Sequence, residues 1–198
     1  MLSLAIPLKY NMEGRSINEE IAIDWLNKGL ALSKLGKYDE AIQAYNKVIE
    51  IDPSLSKAWI GKGVALLSQD KGNEGELAID KGLEIIIQMC DKAIELNPSD
   101  SRAWYDKGDA LERLRGKGNE SIQAYDEAIE LNPQFAEAWY KKGIALESLS
   151  NEDDAITAYK KAIEFESENA EICYDIGQKL IRLHRYDDEL KLWIRPLK

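Results

Sequence analysis

A tryptophan followed four residues later by a glycine occurs four times in this chain. The pairs are Trp25–Gly29, Trp59–Gly63, Trp104–Gly108 and Trp139–Gly143. The first two tryptophans are 34 residues apart and the last two are 35 apart. A period of this length that carries two helical patterns predicts a repeated helix pair, which buries its apolar face only by stacking on its neighbours.

The second half of each period is also repeated. The string AIQAYNKVIEIDP at 41–53 returns as SIQAYDEAIELNP at 121–133. Proline lacks a backbone N–H and disfavours helix at the residue before it. Each string is therefore predicted to be a second helix, with Pro53 or Pro133 marking the stop before the next first helix.

These residues resemble the tetratricopeptide repeat family. The family pattern has Trp at position 4, Gly at 8, Leu or Tyr at 11, Tyr at 17, Ala at 20, a bulky aromatic at 24, Ala at 27 and Pro at 32. The first repeat supplies Trp25, Gly29, Leu32, Tyr38, Ala41, Tyr45, Val48 and Pro53. The third supplies Trp104, Gly108, Leu111, Ser121, Tyr125, Ala128 and Pro133, and the fourth Trp139, Gly143, Leu146, Ala155, Tyr159 and Ala162.

The resemblance covers roughly residues 22–195 and implies an all-α fold. The expected architecture is a right-handed superhelix, or solenoid, of stacked antiparallel helix pairs. We expect repeats at 22–55, 56–100, 101–135 and 136–169, and a degenerate capping repeat at 170–198. Residues 1–21 match no repeat and form an N-terminal extension, either a free arm or a cover for the first helix.

Five glycines share one phase of the repeat, the fifth being Gly177. Glycine inside a helix costs about 1 kcal/mol relative to alanine, so a repeated glycine needs a structural reason. We expect that reason to be close approach of the two helices of a pair. Ala41, Ser121 and Ala155 are the expected small partners.

The second repeat is too long by 11 residues, because Trp59 to Pro98 spans 39 residues where Trp25 to Pro53 spans 28. Eleven residues correspond to about three helical turns. Two structures fit this insertion. One is a second helix lengthened by three turns, and the other is an additional short helix that ends near Gly82.

Composition narrows the function. The net charge is −10, which makes nucleic acids and anionic membranes poor partners. Cys90 and Cys173 are the only cysteines, which favours a reducing, cytoplasmic location, and both occupy positions expected to be buried. His184 is the single histidine, so the sequence predicts no metal, no cofactor and no catalytic site.

The family resemblance implies that first helices line a groove. The early repeats place apolar residues there, and the later repeats place tyrosines among mixed charges. The expected peptide-binding residues are Leu26, Leu30, Ile60, Val64, Leu67, Tyr105, Asp109, Tyr140, Ile144, Tyr174 and Gln178. Exposed apolar and tyrosine side chains are typical anchor points for a bound helix or peptide.

The predicted function is thus a non-catalytic scaffold that binds a peptide or helix of a partner protein. The family's carboxylate clamp needs Lys at position 5 and Asn at position 9, and no run of three repeats supplies the clamp residues. An alternative is a self-associating array whose groove holds the N-terminal arm or a neighbouring protomer. Such a homo-oligomer would form through the insertion or through the end that carries Trp193.

Overall fold

A computed structural model describes residues 16–165 and 170–183. These residues form nine α-helices, so the predicted all-α class is confirmed. The helices are α1 (Ile17–Lys34), α2 (Tyr38–Ile51), α3 (Ser56–Leu67), α4 (Gly72–Leu96), α5 (Ser101–Arg113), α6 (Gly118–Leu131), α7 (Ala136–Ser148), α8 (Glu152–Phe165) and α9 (Ala170–Arg182).

The chain divides into two compact units, 1–86 and 87–198. In the first unit α2 packs against both α1 and α3, around the buried residues Ala22, Leu26, Ala41, Tyr45, Val48 and Ala58. In the second unit α5 pairs with α6 and α7 pairs with α8. The core around α7, α8 and α9 includes Leu146, Tyr159, Ile163, Ile176 and Leu180.

Each turn inside a helix pair contains one residue in the left-handed region. These residues are Gly36, Asp70, Gly116 and Ser150, with φ between 60° and 75°. In the first pair, the N–H of Lys37 then donates to the carbonyl of Leu32 at 3.0 Å, which satisfies a free carbonyl at the end of α1. The turns therefore reverse the chain without leaving that helix end unpaired.

The connection between successive repeats uses the tryptophan. The indole N–H of Trp59 donates to the carbonyl of Pro53, and that of Trp139 donates to the carbonyl of Pro133, both at 2.9 Å. The repeated tryptophan is thus tied by a hydrogen bond to the repeated proline six residues earlier. The repeat pattern of the sequence did not predict this hydrogen bond.

The insertion in the second repeat is helical. α4 is one continuous helix of 25 residues, whereas α2, α6 and α8 each have 14. The first of the two expected structures, a second helix lengthened by three turns, is confirmed. Eleven residues correspond to about three helical turns, so the insertion lengthens the helix without interrupting it.

The repeated glycines make room for an aromatic ring. A Cβ atom on Gly29 would lie 2.7 Å from the ring of Tyr45, and one on Gly108 or Gly143 would lie 2.6 or 2.5 Å from the ring of Tyr125 or Tyr159. The expected cause, close approach, is correct. The partner atoms are those of the tyrosine four residues beyond the small residue that we expected.

The α3–α4 pair differs, because Ile79 stands where the other pairs have tyrosine. A Cβ atom on Gly63 would lie 2.6 Å from the backbone carbonyl oxygen of Gly75 and 2.6 Å from Ile79 Cγ1. The two helix backbones thus approach each other directly. A backbone atom cannot move aside as a side chain can, so a Cβ atom at Gly63 would force the two helix backbones apart.

We predict that Gly63→Ala destabilises the protein by about 1–3 kcal/mol, because overpacking against a backbone carbonyl outweighs the gain in helix propensity. Urea unfolding followed by circular dichroism measures the change.

Gly72→Ala is the matched control, since a Cβ atom there meets nothing within 4 Å. Its stability should be unchanged or slightly higher. Equal stability of the two variants would contradict the proposed close approach.

Candidate functional site

The first unit presents apolar side chains from α1 and α3 to solvent. Leu30 is 45% exposed, Val64 51%, Leu67 39% and Ile23 38%, while Ile60 is half-buried. We call these five residues the apolar surface. Leu26 was expected in the same set, but it is only 9% exposed and belongs to the core, so we leave it out of the proposed binding surface.

Tyr45 of α2 sets the spacing beneath the apolar surface. Its fully buried ring lies against Gly29 of α1 and against Gly61 of α3, where an added Cβ atom would lie 2.6 Å from the ring. Its hydroxyl is 3.2 Å from the hydroxyl of Ser33. One aromatic ring therefore fixes how far apart α1 and α3 hold their exposed side chains.

In the second unit, the predicted residues lie on α5, α7 and α9. Tyr105, Asp109, Tyr140 and Ile144 are half-buried, whereas Tyr174 is 67% exposed and Gln178 is also exposed. Tyr105 packs on the rings of Phe135 and Tyr125, with centroid distances of 5.0 and 5.9 Å. Of the three tyrosines, only Tyr174 presents most of its surface to solvent.

The charges around Tyr105 are paired with each other. The amine of Lys141 lies 2.6 Å from a carboxylate oxygen of Asp109 and 3.7 Å from one of Glu112. The buried hydroxyl of Tyr125 donates to Glu112 at 2.9 Å. This chain of contacts links a buried ring of α6 to side chains on α5 and α7.

A similar set of contacts joins α7, α8 and α9. The buried hydroxyl of Tyr159 donates to Glu147 at 2.7 Å, and Arg182 also pairs with Glu147. The hydroxyl of Tyr140 donates to Asp175 at 2.6 Å, and the amine of Lys179 is 3.6 Å from Glu147. We call the two sets of contacts together the polar network.

Three residues of the polar network have raised pKa values, for different reasons. Burial, the charge of Glu112 and the hydrogen bond to Glu112 raise the pKa of Tyr125 well above its ordinary value. Burial raises the pKa of Tyr159 in the same direction, with smaller effects from Tyr140 and Asp175. Burial alone would lower the pKa of Lys141, but its hydrogen bond to Asp109 and the two nearby carboxylates leave that pKa raised.

The polar network has a signal in the sequence, in which two positions of the repeat vary together. Three repeats place a polar residue at position 12 and a tyrosine at position 24: Ser33 with Tyr45, Glu112 with Tyr125 and Glu147 with Tyr159. In the remaining pair both positions are apolar, Leu67 and Ile79. The loss of the tyrosine hydroxyl therefore accompanies the change of its partner to leucine, which contributes to the apolar surface.

Comparison with known families agrees with the repeat pattern. Models described as tetratricopeptide repeat match residues 22–55, 136–169 and 89–123, and a model described as TPR repeat matches 111–150. This chain is a tetratricopeptide repeat protein. Members of this family are typically non-catalytic scaffolds, and no family model indicates an enzyme.

Solved structures of similar fold include the MamA protein, with 25% sequence identity, a TM-score of 0.51 and coverage of 89% of this chain and 90% of that one. YrrB, a TPR protein with an unusual peptide-binding site, has 21% identity, a TM-score of 0.42 and coverage of 83% and 94%. TTC0263, a thermophilic TPR protein of Thermus thermophilus, has 17% identity, a TM-score of 0.46 and coverage of 83% and 84%. No curated protein sequence is significantly similar to this chain.

The two cysteines belong neither to the apolar surface nor to the polar network. Burial and the nearby carboxylates of Asp106 and Asp91 raise the pKa of the Cys90 thiol to about 11. Cys173 is half-buried rather than buried as expected, and His184 and Trp193 lie outside the described residues. Over the part of the chain that is described, we find neither a metal-binding cluster of His, Cys, Asp or Glu nor a helix able to span a membrane.

We predict that Tyr125→Phe lowers stability at pH 7 by about 1.5–3 kcal/mol, the usual contribution of a hydrogen bond to a charged group. The pKa of Tyr125 is raised in the folded protein, so its hydroxyl keeps its proton above pH 10.0, where the tyrosine of the unfolded chain releases it. The contribution of Tyr125 to stability is therefore complete below pH 10 and decreases as the pH rises further. The difference between wild type and variant should shrink by about 1.4 kcal/mol per pH unit above that point.

Urea unfolding between pH 8 and pH 11 measures this difference. Glu112→Gln serves as the matched variant, because glutamine keeps an acceptor for the Tyr125 hydroxyl but removes the charge. A difference that stays constant over the whole pH range would contradict the assigned role of Tyr125.

Proposed function

We propose that this tetratricopeptide repeat protein is a scaffold whose apolar surface binds an apolar helix or extended segment of a partner protein. The proposal rests on one observation. Leu30, Val64 and Leu67 are each exposed by more than a third on two adjacent helices. Exposed aliphatic side chains that form a cluster often mark a binding site, because a partner that covers them removes apolar area from water.

The geometry of the apolar surface suits a preformed site. Tyr45 holds α1 and α3 at a fixed spacing, so little rearrangement is needed when a ligand binds. The polar residues that follow Leu30 and Leu67 within one helical turn include Ser33, Lys34 and Ser68. Each apolar side chain that a partner buries there contributes roughly 25 cal/mol per Å² of area removed from water.

We infer a different role for the polar network of the second unit. Its carboxylates already have intramolecular partners, so an incoming charged group must replace a lysine or an arginine rather than fill an empty position. Tyr174 is the most exposed of the three tyrosines, and its ring is available to stack against a group of the partner. We therefore propose that the later repeats select an aromatic or basic portion of the partner, while most of the binding free energy comes from the apolar surface.

The carboxylate clamp of chaperone-tail binders is not part of this proposal. Position 5 is Leu26, Ile60, Tyr105, Tyr140 or Tyr174, and none of these can supply the clamp lysine. The low number of cysteines, two in the whole sequence, supports the proposal of a reducing, cytoplasmic location.

We predict that Leu30→Asp reduces partner affinity by about tenfold or more, because it places a charge in the desolvated centre of the contact. Affinity purification from native lysate with the wild-type chain identifies binders, and titration calorimetry with the purified partner measures the loss.

Leu35→Asp provides the matched control. It makes the same change at a leucine of the first unit that is 72% exposed and lies outside the apolar surface. Equal affinities for both variants would refute the assignment of the surface. Sedimentation over a concentration series tests the alternative: a dimer that Leu30→Asp dissociates would show that a second copy of the chain covers the apolar surface.

A further inference from the structure

A second repeated arrangement lies away from the apolar surface. In the later repeats a lysine lies over the tryptophan of its own helix and pairs with an aspartate of the preceding helix. Lys107 is 5.2 Å from the ring centre of Trp104 and 2.7 Å from Asp91. Lys142 is 5.5 Å from the ring centre of Trp139, and its amine is 2.5 Å from Asp126.

The same arrangement in α3 lacks its carboxylate. Lys62 lies 5.7 Å from the ring centre of Trp59, as in the later repeats. The α2 residue that corresponds to Asp91 and Asp126 is Asn46. No carboxylate of the described residues lies within ion-pair distance of Lys62, which therefore keeps an amine available beside an aromatic ring.

Leu77 adds an apolar group at the same place. It lies in the second turn of α4 and is 73% exposed. The corresponding residues of the other second helices are polar, Gln43, Gln123 and Thr157. An exposed leucine at a position that is otherwise polar favours a contact with an apolar group of another molecule.

Lys62 and Leu77 line one pocket. The cavity between α3 and α4 has a volume of about 480 Å³, and its apolar lining comes from Trp59, Leu66, Leu77 and Ala78. The corresponding cavity beside Trp139 measures about 290 Å³. The pocket of the first unit is thus larger, and its amine has no internal carboxylate partner among the described residues.

We propose that this pocket binds a segment of a partner protein that carries an apolar side chain next to a single carboxylate. The apolar side chain contacts Trp59, Leu66 and Leu77. The carboxylate pairs with Lys62 and supplies the charge that Asn46 does not.

The remaining charges of the rim limit the ligand to few acidic groups. Lys81 is paired with Glu84 at 3.1 Å, and Glu74 and Asp80 also line the pocket. These acids repel a polyacidic segment, so one carboxylate beside an apolar residue is the best match. This site is independent of the apolar surface, because none of its residues is shared.

Selection from a display library of random twelve-residue peptides tests the proposal with the full chain as bait. We expect a class of binders with an apolar residue adjacent to Asp or Glu. Asn46→Asp should weaken these binders by about tenfold, because the new carboxylate pairs with Lys62 and completes the arrangement found in the later repeats.

Leu77→Gln restores the polar residue type of the other repeats and should weaken the same peptides to a similar extent. Gln123→Glu adds an equal charge in the second unit and should leave their affinity unchanged. Both Asn46→Asp and Leu77→Gln introduce residue types that equivalent positions already carry, so the fold is expected to tolerate them.

Two results would overturn the proposal. One is a selection that yields no peptides of this class. The other is a set of peptides that lose affinity with Leu30→Asp but not with Asn46→Asp or Leu77→Gln, since such peptides occupy the apolar surface instead.

Discussion

The contact between a buried ring and a glycine governs how these helices pack. A tyrosine of the second helix occupies the space that a side chain would otherwise fill on the first helix, as Tyr45, Tyr125 and Tyr159 do against Gly29, Gly108 and Gly143. Tyr45 also touches Gly61 of the following repeat, so a single ring determines two interhelical distances. This contact therefore sets the spacing between the surface residues of α1 and those of α3.

The α3–α4 pair shows what changes when the ring is absent. With Ile79 in place of tyrosine, the backbones of Gly63 and Gly75 come into direct contact. The polar group that would receive a tyrosine hydroxyl is also absent, and Leu67 takes its position. Ile79 therefore occurs together with direct backbone contact between α3 and α4 and with an apolar residue, Leu67, on the exterior of the first unit.

The parts of the fold that could be predicted from the sequence are those built on periodic residues. Tryptophan, glycine and proline recur at fixed spacing, so the helix pairs and their order could be read from the sequence. The length of α4 was left open because eleven residues fit both a longer helix and a separate one.

The polar network could not be predicted in the same way. The contact of Tyr140 with Asp175 spans 35 residues and depends on which side chains face each other across two repeats. The burial of Leu26 was also missed, because its position in the pattern lies at the border between core and surface. In contrast, the pairing of Glu112 with Tyr125 was accessible from covariation between repeats of this one chain.

The apolar surface and the polar network should differ in the heat capacity change that accompanies binding. Covering Leu30, Val64 and Leu67 removes apolar area from water, which gives binding a negative heat capacity change and weakens it on cooling. An exchange of one ion pair for another among Lys141, Asp109 and Glu112 removes little apolar area and should carry almost no such signature. Temperature-dependent calorimetry can thus assign a ligand to one unit or the other before any complex has been crystallised.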